Sequence, residues 1–184
     1  MVYHVKGSLL EAEGLDYICH QVNCQGRMGS GIAKAIRDRW PEAYNEYRAW
    51  HHEWELKADE MGGSFECGGP TGDELMLGNI LIHALDDNLN IIHMAAQQHY
   101  GYDGKRYTSY DAFWSCLGHI LEEVPEGSKI GFPSHIGCGL GGGNWEVIKT
   151  MIEQVLDENY EVYIYYLEEQ KWVEYLTLSW KSRI

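Results

Sequence analysis

The sequence has few basic residues: 14 Lys and Arg stand against 28 Asp and Glu, which gives a formal net charge of -14. A protein with no surplus of cations has little means of displacing the counterions of a nucleic-acid backbone, so we expect no nucleic-acid partner. A small anionic ligand is compatible with this charge, because backbone amides at a helix N-terminus bind phosphate without lysine or arginine.

Long hydrophobic runs are also missing. The apolar stretches are far shorter than a membrane span, and the first residues, MVYHVKGSLL, lack a basic segment followed by an apolar core. We therefore expect no membrane partner and a cytoplasmic location. The five cysteines are odd in number and lack CxxC spacing, which favours reduced thiols over a disulfide framework. We expect no metal and no cofactor.

Apolar residues, in contrast, are spread along the whole chain: 45% of the 184 residues are hydrophobic, with 7 Trp and 13 Tyr. This length and composition predict one domain over residues 1–184, with a core at about 2–167 and a tail, 168–184, packed on it as a helix or a strand. Short apolar runs alternate with longer helical patterns, so the predicted fold class is α/β.

The hydrophobic periodicity predicts the individual elements. Strands are expected at 2–6, 17–23, 74–85, 90–97, 129–134 and 161–167, with 74–85 and 90–97 in the middle of the sheet. Helices are expected from about 29 to 40, from Pro41 onward, at 110–123 and at 145–157, and an irregular loop is expected at 59–73.

The most informative segment is the second glycine motif, residues 135–145, with the sequence HIGCGLGGGNW. Five glycines within seven residues let the backbone take positive φ and approach a ligand without obstruction by Cβ atoms. Asn144 is placed to cap the next helix, whose first amides would face an anion held in the loop.

A first glycine motif occupies residues 20–36, HQVNCQGRMGSGIAKAI, again in the order strand, loop, helix. The amides at the start of this helix are predicted to point at whatever the loop encloses. Its spacing differs from the dinucleotide-binding GxGxxG pattern and from the Walker A motif, and no GK[ST] occurs. Neither a Rossmann enzyme nor a P-loop NTPase is therefore predicted.

Together the two motifs, N-C-x-G-x-M-G-x-G-I-A and I-G-C-G-L-x-G-G-x-W, resemble those of the macro domain family. The resemblance covers about residues 2–167 and is strongest to the branch that contains ADP-ribose-1''-phosphate phosphatases and ADP-ribosyl glycohydrolases. It implies a three-layer α/β/α sandwich with a central mixed sheet, whose two loops clasp the diphosphate and distal ribose of ADP-ribose.

The resemblance also implies which residues bind the ligand. Asn23 matches the asparagine that contacts the distal ribose, and Tyr166 would lie on the adenine, with core packing as its alternative. Cys24 and Cys138 would be weakly polar lining rather than nucleophiles. The full implied set is Ser8, Asn23, Cys24, Gln25, Met28, Gly29, Ser30, Gly31, Ile32, Gly137, Cys138, Gly139, Leu140, Gly141, Gly142, Gly143 and Tyr166.

Three positions depart from the family pattern. Ser8 stands where an acidic residue usually recognises the adenine amino group. Gln97 and Gly141 stand where the glycohydrolases carry a lysine and an aspartate. Without an amine to open the ribose as a Schiff base, or a carboxylate to assist, glycohydrolysis by that route is not expected.

His20 is the candidate catalytic residue, because a neutral imidazole beside a phosphate can protonate a leaving oxygen or orient a water. The alternative is a buried histidine satisfied by a backbone carbonyl, and His99 and His135 are competing imidazoles. The segment YGYDGKRYTSYDAF, residues 100–113, is predicted to be either a lid or a helix-capping loop with Thr108 or Ser109 as the cap.

The predicted function is that of a phosphatase that binds ADP-ribose and removes the 1''-phosphate from ADP-ribose-1''-phosphate. One alternative is a module that binds ADP-ribose or a related NAD-derived ligand without catalysis. The other is a hydrolase of ADP-ribosyl or O-acetyl-ADP-ribose esters. An ADP-ribosylated protein is the further partner that the resemblance implies.

Overall fold

A computed structural model describes residues 1–62 and 69–167, which form a six-stranded mixed sheet covered by helices. The strands are β1 (Val2–Lys6), β2 (Tyr17–Asn23), β3 (Ile80–Ala84), β4 (Asn90–Gln97), β5 (Lys129–Pro133) and β6 (Glu161–Tyr166). Their spatial order is β1-β6-β5-β2-β4-β3, and every neighbouring pair is parallel except the β3–β4 hairpin. The predicted α/β class with a mixed sheet is confirmed.

Helices cover both faces of this sheet. They are α1 (Gly31–Arg39), α2 (Pro41–Glu60), α3 (Gly72–Met76), α4 (Tyr110–Glu123) and α5 (Trp145–Leu156), with a single 3₁₀ turn at Leu9–Glu11. Apolar residues of α4 and α5 share one buried cluster with β4, β5 and β6, whereas α2 packs its aromatic side chains on the opposite face. The result is the expected α/β/α sandwich.

Alternation along β2 assigns its side chains to the two faces. Cys19 belongs to the cluster under α4 and α5, whereas Val22 belongs to the cluster under α2. Gln21 therefore lies on the α4 side of the sheet and His20 on the α2 side. This difference determines what each of these two polar residues contacts.

The region expected to be a strand at 74–85 is corrected by the structure. Its first part is the helix α3, because Thr71 and Glu74 form a reciprocal capping box that starts a helical turn. The strand β3 begins only at Ile80 and lies at the edge of the sheet, with β4 as its one neighbour, so the expected central position is wrong for β3. The turn after β3 is held by Asp86, whose Oδ1 accepts hydrogen bonds from the amides of Asn88 and Leu89.

The remaining expectations concern the loop at 59–73, the tail, membrane-spanning helices and metal clusters. Helix α2 continues to Glu60, into the segment expected to be irregular. The predicted packing of the tail 168–184 lies outside the described residues. Within residues 1–62 and 69–167, no helix combines the length and the apolar character needed to cross a membrane. In the same ranges, no cluster of three or more His, Cys, Asp or Glu side chains has a geometry that could hold a metal ion.

Candidate functional site

The strand order creates a crevice between β2 and β5. The chain leaves β2 through α1 and α2 on one face toward β3 and β4, and it leaves β5 through α5 on the other face toward β6. Neighbouring strands whose connections diverge in this way form a topological switch point, and ligands of open α/β sheets bind there, beyond the carboxyl ends of the strands. Both glycine motifs follow these two strands.

Strand pairing shows where the crevice opens. β2 pairs with β4 over its whole length, but it pairs with β5 only at Tyr17–Ile130 and Ile18–Gly131. Past Ile18 the two strands no longer share a ladder. The first loop (residues 24–30) and the second loop (residues 134–144) therefore begin on either side of an opening in the sheet.

The first loop is organised by Asn23. Its Oδ1 accepts hydrogen bonds from the amides of Gln25 at 2.9 Å and Arg27 at 3.3 Å, and its Nδ2 donates to the carbonyl of Arg27 at 2.6 Å. The hydroxyl of Tyr47 donates to the Asn23 carbonyl at 2.6 Å. The Asn23 carboxamide is thus engaged within its own loop, and its contact with a ribose stays a prediction.

Several side chains of the first loop point away from the crevice. Cys24 and Met28 have at most 1% of their surface exposed and belong to the cluster under α2. Gln25 donates from Nε2 to the carboxylate of Asp73. The core holds the side chains of Cys24 and Met28, so these residues can offer a ligand only backbone groups, and their part in ligand binding stays a prediction.

The N-terminus of α1 offers amides that no capping side chain uses. Ser30 occupies the N-cap position, but its hydroxyl makes no capping bond and lies 3.3 Å from the hydroxyl of Tyr102. The amides of Gly31, Ile32 and Ala33 have no acceptor among the described residues. Uncapped first-turn amides with the positive end of the helix dipole form an anion site.

The second loop folds around the carbonyl oxygen of Gly137. This oxygen accepts hydrogen bonds from Gly143 N at 2.9 Å and from Thr108 Oγ1 at 2.8 Å. The amides of Gly139, Leu140 and Gly141 have no acceptor in the described part of the chain, and Gly139 and Leu140 are exposed. Successive free amides in a glycine turn form a concave nest for an anion.

The start of α5 differs from the expectation. Asn144 is the predicted N-cap, and its side chain accepts a hydrogen bond from Glu146 N at 2.9 Å. The capping prediction is confirmed, but the cap uses an amide that was expected to face an anion. The amides of Trp145 and Val147 have no acceptor among the described residues, so the start of α5 keeps free amides beside those of the loop.

A crossing segment, residues 98–109, spans from the first loop to the second. The amides of Tyr107 and Thr108 both donate to the carbonyl of Gly141, at 2.8 and 2.9 Å. At the other loop, Tyr102 contacts Ser30. Of the two candidate caps for α4, Ser109 is the cap, since its hydroxyl accepts from Ala112 N. The segment thus caps a helix at one end and touches both loops.

His20 lies inside the protein, not at the rim of the crevice. It has no exposed surface, and its Nε2 lies 2.6 Å from Nδ1 of His93. Burial lowers the pKa of His20 to about 3. The alternative of a buried histidine is the one the structure supports, although the ring is paired with another imidazole rather than with a backbone carbonyl.

The competing imidazoles and the two loop thiols differ in access. His99 and His135 are exposed at this edge of the sheet, and the His135 ring stacks on Trp145 with 5.2 Å between ring centroids. Burial raises the pKa of the Cys138 thiol to about 11. Burial and the nearby Asp73 charge raise that of Cys24 to about 12. Both thiols stay protonated near neutral pH, which disfavours a nucleophilic role.

Gly7, the neighbour of Ser8, contacts Tyr166 at the far end of the same edge. The amide of Gly7 donates to the carbonyl of Tyr166 at 2.9 Å, so the turn after β1 lies beside the end of β6. Tyr166 is 42% exposed, which is inconsistent with the alternative that its ring packs in the core. The contacts of Ser8 and Tyr166 with an adenine stay predictions.

Neighbouring groups constrain both positions that depart from the glycohydrolase pattern. Gln97 accepts from Gln21 at Oε1 and donates from Nε2 to the carbonyl of His99 at 3.0 Å. A Cβ built on Gly141 would lie 2.4 Å from Thr108 Oγ1 and 2.5 Å from the Gly137 carbonyl oxygen. An aspartate side chain cannot occupy position 141 without displacing these groups.

Sequence reasoning missed Gln21 and Thr108 as polar side chains beneath the second loop, and it missed His93 as the partner of His20. Strand alternation alone would have separated Gln21 from His20, because neighbours on a strand face opposite sides. The pairing of His20 with His93 depends on the register between β2 and β4. Nothing in the spacing of the motifs specifies that register.

Comparisons with known proteins bear on the family resemblance and on the fold. No protein-family model matches the chain. Among curated proteins, the chain is 25% identical to an ADP-ribose 1''-phosphate phosphatase of Candida albicans, over 89% of this chain and 99% of that protein. It is 40% identical to the ADP-ribose 1''-phosphate phosphatase of Neosartorya fischeri, but over 48 residues, which is 26% of this chain and only 24% of that protein. A DNA ADP-ribosyl glycohydrolase of Thermus aquaticus is 25% identical over 90% of this chain and 41% of its own length.

Solved structures show the same relationship. A protein of unknown function from Bacteroides thetaiotaomicron superposes with a TM-score of 0.72 at 25% identity, covering 91% of this chain and 98% of that one. The macrodomain of Thermus aquaticus DarG superposes with a TM-score of 0.61 at 25% identity, over 90% of this chain and 97% of that chain. The resemblance to the macro domain family that the two glycine motifs carry is thereby confirmed, and the fold of this chain is that of a macrodomain.

Proposed function

We propose that the chain binds ADP-ribose in the crevice between the first and second loops and removes the terminal phosphate of ADP-ribose-1''-phosphate. The single observation that carries the proposal is the pair of uncapped amide clusters, at Gly31–Ala33 and at Gly139–Gly141, on either side of the opening between β2 and β5. Such clusters bind phosphate groups without a basic side chain, which is compatible with the net charge of -14.

The remaining site residues are proposed by the same resemblance. Gly29, Ser30, Gly31 and Ile32 would hold one phosphate through the start of α1. The second loop, Gly137 to Gly143, would hold the other phosphate and the distal ribose. Ser8 and Tyr166 would lie beside the adenine. The names of the Candida albicans and Neosartorya fischeri relatives support a phosphatase acting on ADP-ribose 1''-phosphate.

The hydrolysis needs a water, a charged phosphoryl group and a proton for the leaving oxygen. The water oxygen attacks phosphorus, the bond from phosphorus to the 1''-oxygen breaks, and the ribose oxygen takes a proton, which yields ADP-ribose and inorganic phosphate. Amides aimed at the phosphoryl oxygens stabilise their charge in the transition state. Exposed His99 at the end of β4 is the proposed proton donor, because His20 has no exposed surface.

A second candidate, a binding module without catalysis, is favoured by the burial of His20 together with the high pKa of both loop thiols. This candidate uses the same crevice. Glycohydrolysis is a weaker candidate, although the Thermus aquaticus relative is a DNA ADP-ribosyl glycohydrolase. Gln97 offers no amine for a Schiff base, and Gly141 leaves no room for a carboxylate.

Two measurements on the purified chain test the proposal. Calorimetry with ADP-ribose reports binding, and chromatography with phosphate detection reports products from ADP-ribose-1''-phosphate. Release of phosphate together with ADP-ribose supports the phosphatase. Tight binding with no turnover overturns the phosphatase and leaves the binding module, and the lack of binding to both compounds overturns the whole proposal.

A further inference from the structure

A polar cluster lies beneath the second loop, on the α4 side of the sheet. Gln21 donates from Nε2 to Thr108 Oγ1 and to Gln97 Oε1, both at 2.8 Å. The Thr108 hydroxyl donates in turn to the carbonyl of Gly137 at 2.8 Å. A continuous path of hydrogen bonds therefore connects the middle strand β2 to the second loop.

The donor and the acceptor of each hydrogen bond in this path can be assigned by starting from Gln97. Gln97 Nε2 donates to the carbonyl of His99, so Gln97 Oε1 must be the atom that faces Gln21. Gln21 therefore presents Nε2 to both neighbours, and the single Thr108 proton is left for Gly137. With this orientation, Gln21 Oε1 has no hydrogen-bond partner among the described residues although it is buried.

An unpartnered buried oxygen makes Gln21 a poor choice for stability. A buried acceptor without a donor is unfavourable, and an apolar side chain of the same shape would avoid that cost. Gln21 also lies beyond Ile18, where the ladder between β2 and β5 has ended. One of its two donated hydrogen bonds reaches the Gln97 side chain at the end of β4, and the other reaches Thr108, whose backbone forms a single bridge with Gln97 beside the second loop.

Thr108 holds the second loop at two points. Its side chain binds the Gly137 carbonyl, and its amide, together with that of Tyr107, binds the Gly141 carbonyl. The free amides of Gly139, Leu140 and Gly141 lie within the turn between these two carbonyls. Their direction depends on where the two carbonyls are held.

We infer that Gln21 and Thr108 are positioning residues that aim the amides of the second loop at a phosphate group of the ligand. The inference rests on the proposed binding site, and it identifies the side chains that determine the direction of the loop amides. It also bears on what position 141 can offer: Thr108 Oγ1 and the Gly137 carbonyl occupy the space of any side chain there, so this position can contact a ligand only through its backbone.

Thr108→Val and Thr108→Ser form a matched pair of variants. Valine keeps the shape and removes the hydroxyl, whereas serine keeps the hydroxyl. In the free protein, NMR amide exchange at Gly143 and Tyr107, both bonded to the loop carbonyls, should be faster on the order of tenfold in Thr108→Val and near wild type in Thr108→Ser. Equal exchange rates in both variants would overturn the inference that the Thr108 hydroxyl holds the second loop, whether or not ADP-ribose binds.

Affinity separates positioning from structural support. Thr108→Val should weaken ADP-ribose binding on the order of tenfold in calorimetry, with Thr108→Ser restoring it. Gln21→Met, which removes the donors and the unpartnered oxygen together, should weaken binding similarly while the melting temperature stays at or above that of wild type. A drop in melting temperature with unchanged affinity would show that Gln21 supports the fold only. If the wild-type chain binds no ADP-ribose, the proposed function fails. Amide exchange alone then tests whether Thr108 holds the second loop.

Discussion

His20 on β2 and His93 on β4 are register partners whose facing ring nitrogens, Nε2 and Nδ1, lie 2.6 Å apart in the interior. Neither side chain has any exposed surface. Burial lowers the pKa of His20 to about 3. Burial, followed by the neighbouring His20 and His83, lowers that of His93. Tyr47 of α2 packs on the His93 ring with 5.9 Å between centroids, and burial keeps both imidazoles neutral at neutral pH.

We expect the free energy of unfolding to fall as the pH drops below about 6.5. An unfolded histidine takes up a proton near this value, whereas folded His20 does so only near pH 3. Between these two values the unfolded state binds more protons. The stabilisation is therefore fully present above the pKa of the unfolded histidine. It is lost as the pH falls toward the pKa of the folded histidine, by about 1.4 kcal/mol per pH unit for each imidazole. Urea unfolding between about pH 7.5 and 5 measures the slope.

A matched pair of variants tests the cause of this slope. His20→Gln should reduce it by about 1.4 kcal/mol per pH unit, because one buried imidazole is gone. His52→Gln, on the exposed side of α2 with the side chain 67% exposed, should leave it nearly unchanged. The same slope in both variants would mean that other groups drive acid unfolding.

A charge at position 29 should block ligand binding. No atom lies within 4 Å of a Cβ built on Gly29, and its φ is not positive, so a side chain fits there without backbone strain. Gly29→Glu places a carboxylate at the start of α1, where it competes with a phosphate, and should weaken ADP-ribose binding by at least about tenfold. Gly29→Gln has the same size without the charge and should bind more tightly than Gly29→Glu in calorimetry. Equal affinities would place the phosphates elsewhere.

The sequence was sufficient for most of the fold because glycines and apolar alternation carry local information. Five of the six strands and the four longer helices lie close to their predicted positions, β3 being the exception, and Asn144 caps α5 as predicted. At 74–76 the capping box formed by Thr71 and Glu74, a local signal, outweighs the strand-like apolar run and starts a helix.

The site was less predictable because its support is non-local. The proposed loops come from motif spacing, but the burial of His20 depends on packing under α2 and on the register with β4. The contact between Gln21 and Thr108 joins residues 87 positions apart in the chain. Spacing within a motif cannot indicate such a pair, because only the tertiary fold brings them together.

Replacing Gly141 should be costly, whereas replacing Gly139 should not. A Cβ at 141 would collide with Thr108 Oγ1 and the Gly137 carbonyl, while a Cβ at 139 meets nothing within 4 Å. We expect Gly141→Ala to lower the free energy of unfolding by about 1–3 kcal/mol and Gly139→Ala to change it by less than about 0.5 kcal/mol, as measured in urea. Similar values for both would show that the second loop rearranges freely.

The crossing segment should slow ligand release through Tyr102. Its hydroxyl lies 3.3 Å from that of Ser30, so the segment touches the first loop while Tyr107 and Thr108 hold it to the second. Tyr102→Phe should raise the dissociation rate of ADP-ribose about 2–5-fold with little change in the association rate, since a lost contact acts mainly on release. Stopped-flow measurement with Tyr100→Phe as the control checks this, and identical rates in the two variants would remove the lid role.

The last prediction concerns which imidazole donates the proton in the proposed hydrolysis. General acid catalysis is worth about 10²–10⁴-fold in rate, and the donor must come within hydrogen-bond reach of the leaving oxygen. His99 is exposed at the end of β4, whereas His20 is fully buried with its Nε2 facing His93. We expect His99→Ala to lower kcat for ADP-ribose-1''-phosphate by about 10²–10⁴-fold at unchanged ADP-ribose affinity, and His20→Gln to lower it by less than about tenfold. The reverse order would show that the first loop opens far enough during turnover to bring His20 to the phosphate, and the role originally expected of His20 would then stand.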